Sequence, residues 1–145
     1  MVWQEIMKVK GFQVAPAELE GCLLSHPDVA DTCVVPIPDS YSGELPMAFV
    51  VLRPDAAKKV SSNPTEAERL KASIKKVWLI VLHHSGHLSD YFLFRKHVAD
   101  NKISYKHLNG GVEFTDVIPK NPSGKLLRRV LRDRARDLVR PKAKL

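Results

Sequence analysis

The stretch IPKNPSGK, residues 118–125, ends in a single lysine that comes directly before a basic segment, LLRRVLRDRARDL. Two prolines restrict the backbone of this loop, whereas Gly124 permits a tight turn. Because Lys125 carries a compact ammonium group on a long stem, such a loop can present one positive charge to an anionic group. A phosphate-cradling GxxxxGK[ST] loop is excluded, because Pro119 stands at the first glycine and Leu126 at the Ser or Thr.

Three histidines, His83, His84 and His87, are a second set with suggestive spacing, since His84 and His87 would share one face of a helix. Zinc sites add a glutamate in the HExxH pattern, or nearby cysteines. Neither accompanies these histidines, so we predict no metal site.

The formal charge of +7 is concentrated at one end of the chain. Residues 124–145 carry nine Lys or Arg against two Asp, and the remainder has fourteen basic and fourteen acidic residues. A single basic helix is more often exposed to solvent or used for docking to another protein than used to bind nucleic acid. A basic module that binds nucleic acid or protein without catalysis stays open as the alternative function.

The composition, with 44% hydrophobic and 27% charged residues among 145, is that of one soluble domain with a core. We find no apolar run of about 18 residues and no secretory signal pattern, so we expect no membrane span and an intracellular location. Cys22 and Cys33 lie among apolar neighbours, which predicts buried thiols and no disulfide framework.

Hydrophobic patterning predicts the elements that must position the Lys125 loop. A short amphipathic helix is predicted between Pro16 and Pro27. The segments VADTCVVPIPD and MAFVVLRP predict two neighbouring strands, and GGVEFTDVIP predicts a third. The polar segment after the second strand holds a loop, which ends where a helix begins at a capping box of Thr65 and Glu68.

A last helix is predicted from Lys125 to Val139, and its apolar face consists of Leu127, Val130, Leu131, Ala135 and Leu138. Together these elements predict an α+β fold, a small sheet of about three strands flanked by helices. Residues 1–140 form the domain, and residues 141–145 form a flexible basic tail.

Residues 77–95, VWLIVLHHSGHLSDYFLFR, do not fit this pattern, because they show neither clean alternation nor a clean helical stripe. Their removal would join SIKK to KHVADNK as one continuous stretch. Our hypothesis is an insert that arose as a retained intron translated in frame.

Two separated motifs carry a family resemblance: EIMKVKGFQVAPAELEGCLLSHPDVADTCVVPIPD, residues 5–39, and IPKNPSGKLLRRVLRD, residues 118–133. Both resemble the C-terminal domain of the adenylate-forming acyl-CoA synthetases, above all the 4-coumarate:CoA ligase type. The resemblance covers about 120 of the 145 residues.

The resemblance implies a small mobile lid of an ATP-dependent carboxylic acid:CoA ligase. In that family a large N-terminal adenylation domain binds ATP with Mg²⁺ and the acid, an acyl-adenylate forms, and the lid rotates so that coenzyme A can attack. Lys125 would be the catalytic cation, because a carboxylate and a phosphate must approach each other. Lys8 and Gln13 match positions that bind nucleotide or adenylate, and Gly11 matches the loop beside the coenzyme A channel. The alternative for these residues is a short solvated turn.

These 145 residues contain neither a nucleotide cradle nor an acid pocket, so by themselves we expect them to be nearly inactive. The family's hinge sequence Asp-Arg-x-Lys is replaced by residues 1–4, MVWQ, which puts the rotation in question. A free-standing regulator that docks on a full-length synthetase is a further alternative. The last residues, Ala143, Lys144 and Leu145, resemble a Ser-Lys-Leu address, which predicts an import receptor as partner and a peroxisomal location.

Overall fold

The computed structural model describes residues 6–84 and 108–140, except for the side chains of residues 12 and 77–84. The described part forms a five-stranded sheet with helices on both faces. Its elements in chain order are β1 (Met7–Val9), β2 (Phe12–Val14), α1 (Pro16–Leu24), β3 (Val29–Asp39), β4 (Gly43–Leu52), α2 (Pro54–Ser62), α3 (Pro64–His84), β5 (Gly111–Phe114) and α4 (Arg128–Val139).

The long antiparallel pair of β3 and β4 forms the centre of the sheet, with a register from Val29 opposite Leu52 to Asp39 opposite Gly43. Its turn is closed by the carboxylate of Asp39, which accepts the backbone N–H groups of Tyr41 and Ser42 at 3.2 and 2.7 Å. The other side of β4 is shared by two strands. β1 pairs antiparallel at Gly43, and β5 pairs parallel from Met47 to Val50.

Each face of this sheet is covered by its own hydrophobic cluster. One cluster joins the sheet to α1 and α3 through residues such as Leu19, Leu23 and Ile74. The opposite cluster joins it to α4 through Leu131 and Ala135. Residues 46–50 of β4 are buried without alternation, as expected for a strand covered on both faces. The domain is therefore built in three layers, helix, sheet and helix.

The α+β class, the small sheet and the flanking helices are confirmed, but the number of strands was underestimated. Within residues 6–84 and 108–140 the sheet has five strands instead of about three, because residues 7–14 form the hairpin of β1 and β2. Each of these strands has only three residues, which is too short to show alternation.

Two helix boundaries also differ from the prediction. α3 is capped by Asn63, whose side-chain oxygen accepts the N–H of Thr65 at 3.0 Å, so the predicted capping residue was wrong. The polar segment before it was predicted to hold a loop, and that prediction was wrong: it forms α2, and only Asn63 separates α2 from α3. Pro54 and Asp55 occupy the first turn of α2, and Ala56 is buried.

The last helix begins three residues later than predicted, and its buried face is narrower. Leu131 and Ala135 are buried, whereas Val130 and Leu138 are 54% and 48% exposed. The reason for the late start is that Leu126 and Leu127 pair with Pro119 and Lys120 instead of entering the helix, as described below.

The backbone of α3 continues to His84, through the first part of the segment 77–95. The rest of that segment, His87, the tail 141–145 and residues 1–4 lie outside the described residues, as do the side chains of His83 and His84. None of the described helices combines the length and the apolar character needed to cross a bilayer.

Candidate functional site

The hairpin of β1 and β2 presents the predicted residues Lys8, Gly11 and Gln13. Val9 pairs with Phe12, so the turn consists of Lys10 and Gly11, both with positive φ, 50° and 80°. Two consecutive residues with positive φ make the tight turn that matches the twist of a hairpin. Gly11 adopts this conformation without strain, and the space where its Cβ would lie is open.

Lys8 and Gln13 are direct cross-strand partners in this hairpin, and both are exposed. Their strand neighbours Met7, Val9 and Val14 are buried in the cluster beneath α1 and α3. Since side chains alternate along a strand, Lys8 and Gln13 point away from that layer. The structure therefore brings together a cation and an amide on one open surface.

The hairpin is held at the β3–β4 turn by backbone contacts. Lys8 donates its N–H to a carboxylate oxygen of Glu44 at 2.8 Å, and Lys10 donates its N–H to the carbonyl of Ser42 at 2.8 Å. These bonds leave both lysine ammonium groups outside the hydrogen bonding of the strands.

Lys125 lies at the end of a second, compact hairpin, residues 119–127. Its stem is closed by the N–H of Leu127, which donates to the carbonyl of Pro119 at 2.9 Å, and by a bridge between Lys120 and Leu126. At the tip, the side-chain oxygen of Asn121 accepts the N–H of Lys125 at 2.8 Å.

Gly124 supplies the backbone conformation that this tip requires, with a φ of 83°. Its N–H donates to the carbonyl of Asn121 at 2.9 Å, and Asn121 in turn donates its N–H to the carbonyl of Lys125 at 2.9 Å. The Lys125 side chain is exposed. Within residues 6–84 and 108–140, no carboxylate forms an ion pair with its ammonium group. The backbone of Lys125 is thus fixed while its charge stays available.

The two hairpins lie at opposite ends of the β3–β4 pair. The Lys10–Gly11 turn is attached beside Gly43, whereas the stem of the Lys125 hairpin is attached near Val51. At roughly 3.3 Å per residue, the eight steps from Gly43 to Val51 span about 26 Å. The structure brings Lys8, Gly11 and Gln13 together on the β1–β2 hairpin and places Lys125 on the second hairpin.

Several arginines of the basic helix α4 have structural partners. Arg128 is paired with Glu20, and Arg136 with Asp133. The guanidinium of Arg134 lies 5.5 Å from the centre of the Phe49 ring and donates to the hydroxyl of Thr115 at 3.1 Å. Arg128 and Arg134 therefore help to hold α4 on the sheet, whereas the exposed pair of Arg136 and Asp133 lies within α4 itself.

Cys33 is fully buried against this helix, as predicted, and Cys22 is only half-buried. Burial raises the pKa of the Cys33 thiol to about 12, although the nearby Arg128 guanidinium acts in the opposite direction. The thiol is therefore neutral and unreactive near pH 7. In the described part of the chain, no three His, Cys, Asp or Glu residues are grouped as metal ligands.

The sequence analysis missed the contact between Glu20 and Arg128, which joins α1 to the beginning of α4. These two residues are 108 positions apart in the chain, so no local pattern links them. It also missed the ion pair of Lys120 with Asp31, at 2.7 Å, which attaches the stem of the Lys125 hairpin to β3.

The fold and these exposed loops define a small α+β domain that presents two separate lysine-bearing hairpins. Its sequence matches the family described as the AMP-binding enzyme C-terminal domain over residues 18–125. The chain belongs to this family.

Two relatives and one solved structure illustrate the match. The chain is 41% identical over 131 residues to 4-coumarate–CoA ligase-like 1 of Arabidopsis thaliana, covering 90% of this chain and 18% of the relative. It is 38% identical over 133 residues to the acyl-CoA ligase lcsD of Purpureocillium lilacinum, covering 92% and 28%. A fatty acyl CoA synthetase of Mycobacterium tuberculosis superimposes with a TM-score of 0.59 at 25% identity, over 90% of this chain and 19% of that structure.

The predicted relationship to acyl-CoA synthetases and 4-coumarate:CoA ligases is therefore confirmed. The chain spans between about a fifth and three tenths of the length of these curated relatives. The roles of Lys8, Gly11, Gln13 and Lys125 stay predictions.

Proposed function

We propose that this domain is the mobile C-terminal part of an ATP-dependent carboxylic acid:CoA ligase. A larger adenylation domain would hold ATP, Mg²⁺ and the acid, and this domain would complete the site in two orientations. The first would support formation of an acyl-adenylate with release of pyrophosphate, and the second would support attack by coenzyme A.

The separation of the two hairpins is the observation that carries this proposal. A carboxylate that attacks the α-phosphorus of ATP needs a cation between two anions, and the exposed Lys125 on a fixed backbone meets that requirement. The two attachment points, Gly43 for the β1–β2 hairpin and the level of Val51 for the stem of the Lys125 hairpin, lie about 26 Å apart along β4, which favours their acting in different orientations of the domain. A rotation between two half-reactions accounts for both.

The adenylation step tests the role of Lys125. The chain is mixed with a separately produced adenylation domain of a relative, and exchange of pyrophosphate into ATP is measured. We expect Lys125→Ala to lower the exchange rate by about 100-fold, the effect of removing one donor to a developing charge. Lys58→Ala removes an exposed lysine of α2 and serves as the control, with an unchanged rate. Equal rates for Lys125→Ala and the control would show that this role is wrong.

The thioester step tests the β1–β2 hairpin separately. Asn tolerates positive φ, so Gly11→Asn adds a side chain at the turn without a large backbone cost. Starting from preformed acyl-adenylate, we expect slower thioester formation in this variant and normal pyrophosphate exchange. A variant that loses both steps equally, or neither, would contradict the assignment of the hairpin to the second step.

We also propose delivery to peroxisomes wherever Ala143, Lys144 and Leu145 form a free C-terminus. A fluorescent protein joined to residues 108–145, so that Leu145 is the free C-terminus, should enter peroxisomes. The same fusion with its C-terminus blocked by an amide or by a tag after Leu145 should not. Import of both fusions would contradict this proposal.

A further inference from the structure

In the part of the chain that the structure describes, strand β3 is an edge strand of the sheet. At one of its residues, side chains bond to both outward backbone groups. Val34 is fully buried. Its N–H donates to a carboxylate oxygen of Glu20 at 2.9 Å, and its carbonyl accepts a bond from Arg128 at 3.1 Å. The edge of a sheet usually offers such groups to another strand or to water. Here two helices from opposite faces of the sheet meet at the edge and satisfy both groups.

Glu20 and Arg128 also bind each other through both carboxylate oxygens and both terminal nitrogens of the guanidinium. Their side chains are only 10% and 18% exposed. A two-pronged pair of this kind fixes the angle of the guanidinium plane as well as its distance. Together with Val34, the pair fixes α1, β3 and α4 at one point.

Arg128 is the first residue of α4 and follows Lys125 by three positions. The other contacts that attach the Lys125 hairpin to the sheet constrain its orientation less. Ile118 is buried by apolar packing, which is not directional. The Lys120–Asp31 pair is 42% and 33% exposed, and exposed pairs contribute little.

We propose that Glu20 and Arg128 are positioning residues for Lys125: their pair at Val34 sets the direction in which the Lys125 hairpin leaves the sheet. This inference rests on the proposed function for the role of Lys125, but the contact itself can be tested without ligase activity.

The first experiment measures amide hydrogen exchange in the full chain. The reporters are the N–H groups of Gly124, Lys125 and Leu127, which bond within the hairpin, and that of Thr115, which bonds to β4. In the double variant Glu20→Leu/Arg128→Met, we expect the three hairpin amides to exchange about tenfold faster or more, with Thr115 changed by less than about threefold. The paired replacement leaves no unpaired buried charge, although it removes the side-chain partners of the N–H and the carbonyl of Val34.

Two further variants make the comparison specific. Arg129→Met removes the neighbouring charge, which is exposed, and should leave all four amides unchanged. Arg128→Lys keeps the positive charge but loses the planar guanidinium that binds Glu20 through two nitrogens. Its hairpin amides should therefore exchange faster than those of the wild-type chain. If the hairpin amides keep their protection in the double variant, or if Arg129→Met has the same effect, the inference is overturned.

The second experiment uses the reconstituted pyrophosphate exchange described above. We expect Arg128→Lys and the double variant to lower kcat by about tenfold with KM for ATP nearly unchanged, since a misdirected lysine acts on the reacting charges and not on nucleotide binding. Unchanged kcat in both variants, when Lys125→Ala is impaired, would overturn the inference. If Lys125→Ala itself is fully active, the proposed function fails. The amide hydrogen exchange then decides by itself whether the Glu20–Arg128 pair positions the hairpin.

Discussion

The replacement Leu131→Ala tests whether α4 is packed on the sheet as the structure shows. Leu131 is 2% exposed and belongs to the cluster that contains Cys33, Val35 and Phe49. The change removes three carbons, worth about 2.4 kcal/mol at about 0.8 kcal/mol each, and the remaining cavity adds to this. We expect a loss of about 3 kcal/mol in the free energy of unfolding.

Val130→Ala is a matched control, because Val130 is the preceding residue of the same helix and is 54% exposed. The Val130→Ala replacement should change the free energy of unfolding by no more than about 0.5 kcal/mol, because little buried surface is lost and Ala favours a helix. Urea unfolding followed by circular dichroism measures both variants. At about 4 °C per kcal/mol, Leu131→Ala should also lower Tm by about 12 °C.

The difference between the two variants is the decisive quantity. A loss below about 1 kcal/mol for Leu131→Ala, or an equal loss for Val130→Ala, would refute the packing of α4 on this face of the sheet. The starting point of the Lys125 hairpin would then also be wrong, because that hairpin leads directly into α4.

Three further predictions concern stability. Gly21→Ala, within α1 and in open space, should raise the free energy of unfolding by about 0.5 to 1 kcal/mol, and a loss in urea unfolding would contradict the helix there. Gly110→Ala should lower it by about 2 kcal/mol, because a Cβ would lie 2.7 Å from the carbonyl oxygen of Pro46, and a neutral result would contradict that close approach. For Cys33, the unfolded thiol ionises near pH 9 while the buried thiol, with its pKa raised to about 12, stays protonated. Between pH 9 and about 12, the free energy of unfolding of the wild-type chain should therefore fall, relative to that of Cys33→Ala, by about 1.4 kcal/mol per pH unit. Parallel pH profiles for the two proteins would show that the thiol is accessible.

The sequence predicted the elements that have a long, uniform pattern. β3 and β4 have eleven and ten residues, rich in β-branched or apolar types, and α1 begins at Pro16 as expected. The β1–β2 hairpin was missed because its turn is Lys-Gly. The usual signal is Asn-Gly or Asp-Gly, and Lys10 adopts positive φ only with the support of its surroundings.

The candidate site could be predicted in part. The prolines and Gly124 indicated a fixed loop that presents Lys125, and the structure has such a loop. Its anchoring could not be predicted, because Glu20 and Arg128 meet only when α1 and α4 are folded onto opposite faces of one strand. Similarly, Val130 and Leu131 are both apolar, and only the position of the sheet decides which of them is buried.

The parallel pairing of β4 with β5 has a consequence for how this domain tolerates changes in length. The chain leaves β4 after Leu52 and returns at Gly111, so 58 residues separate the two strands, and the segment 77–95 lies entirely within that crossover. Closure entropy grows only with the logarithm of length, so extending the crossover from 39 to 58 residues costs about 0.4 kcal/mol in an unfolded chain. Additions at this point are nearly neutral for assembly of the sheet, and both hairpins lie outside the crossover.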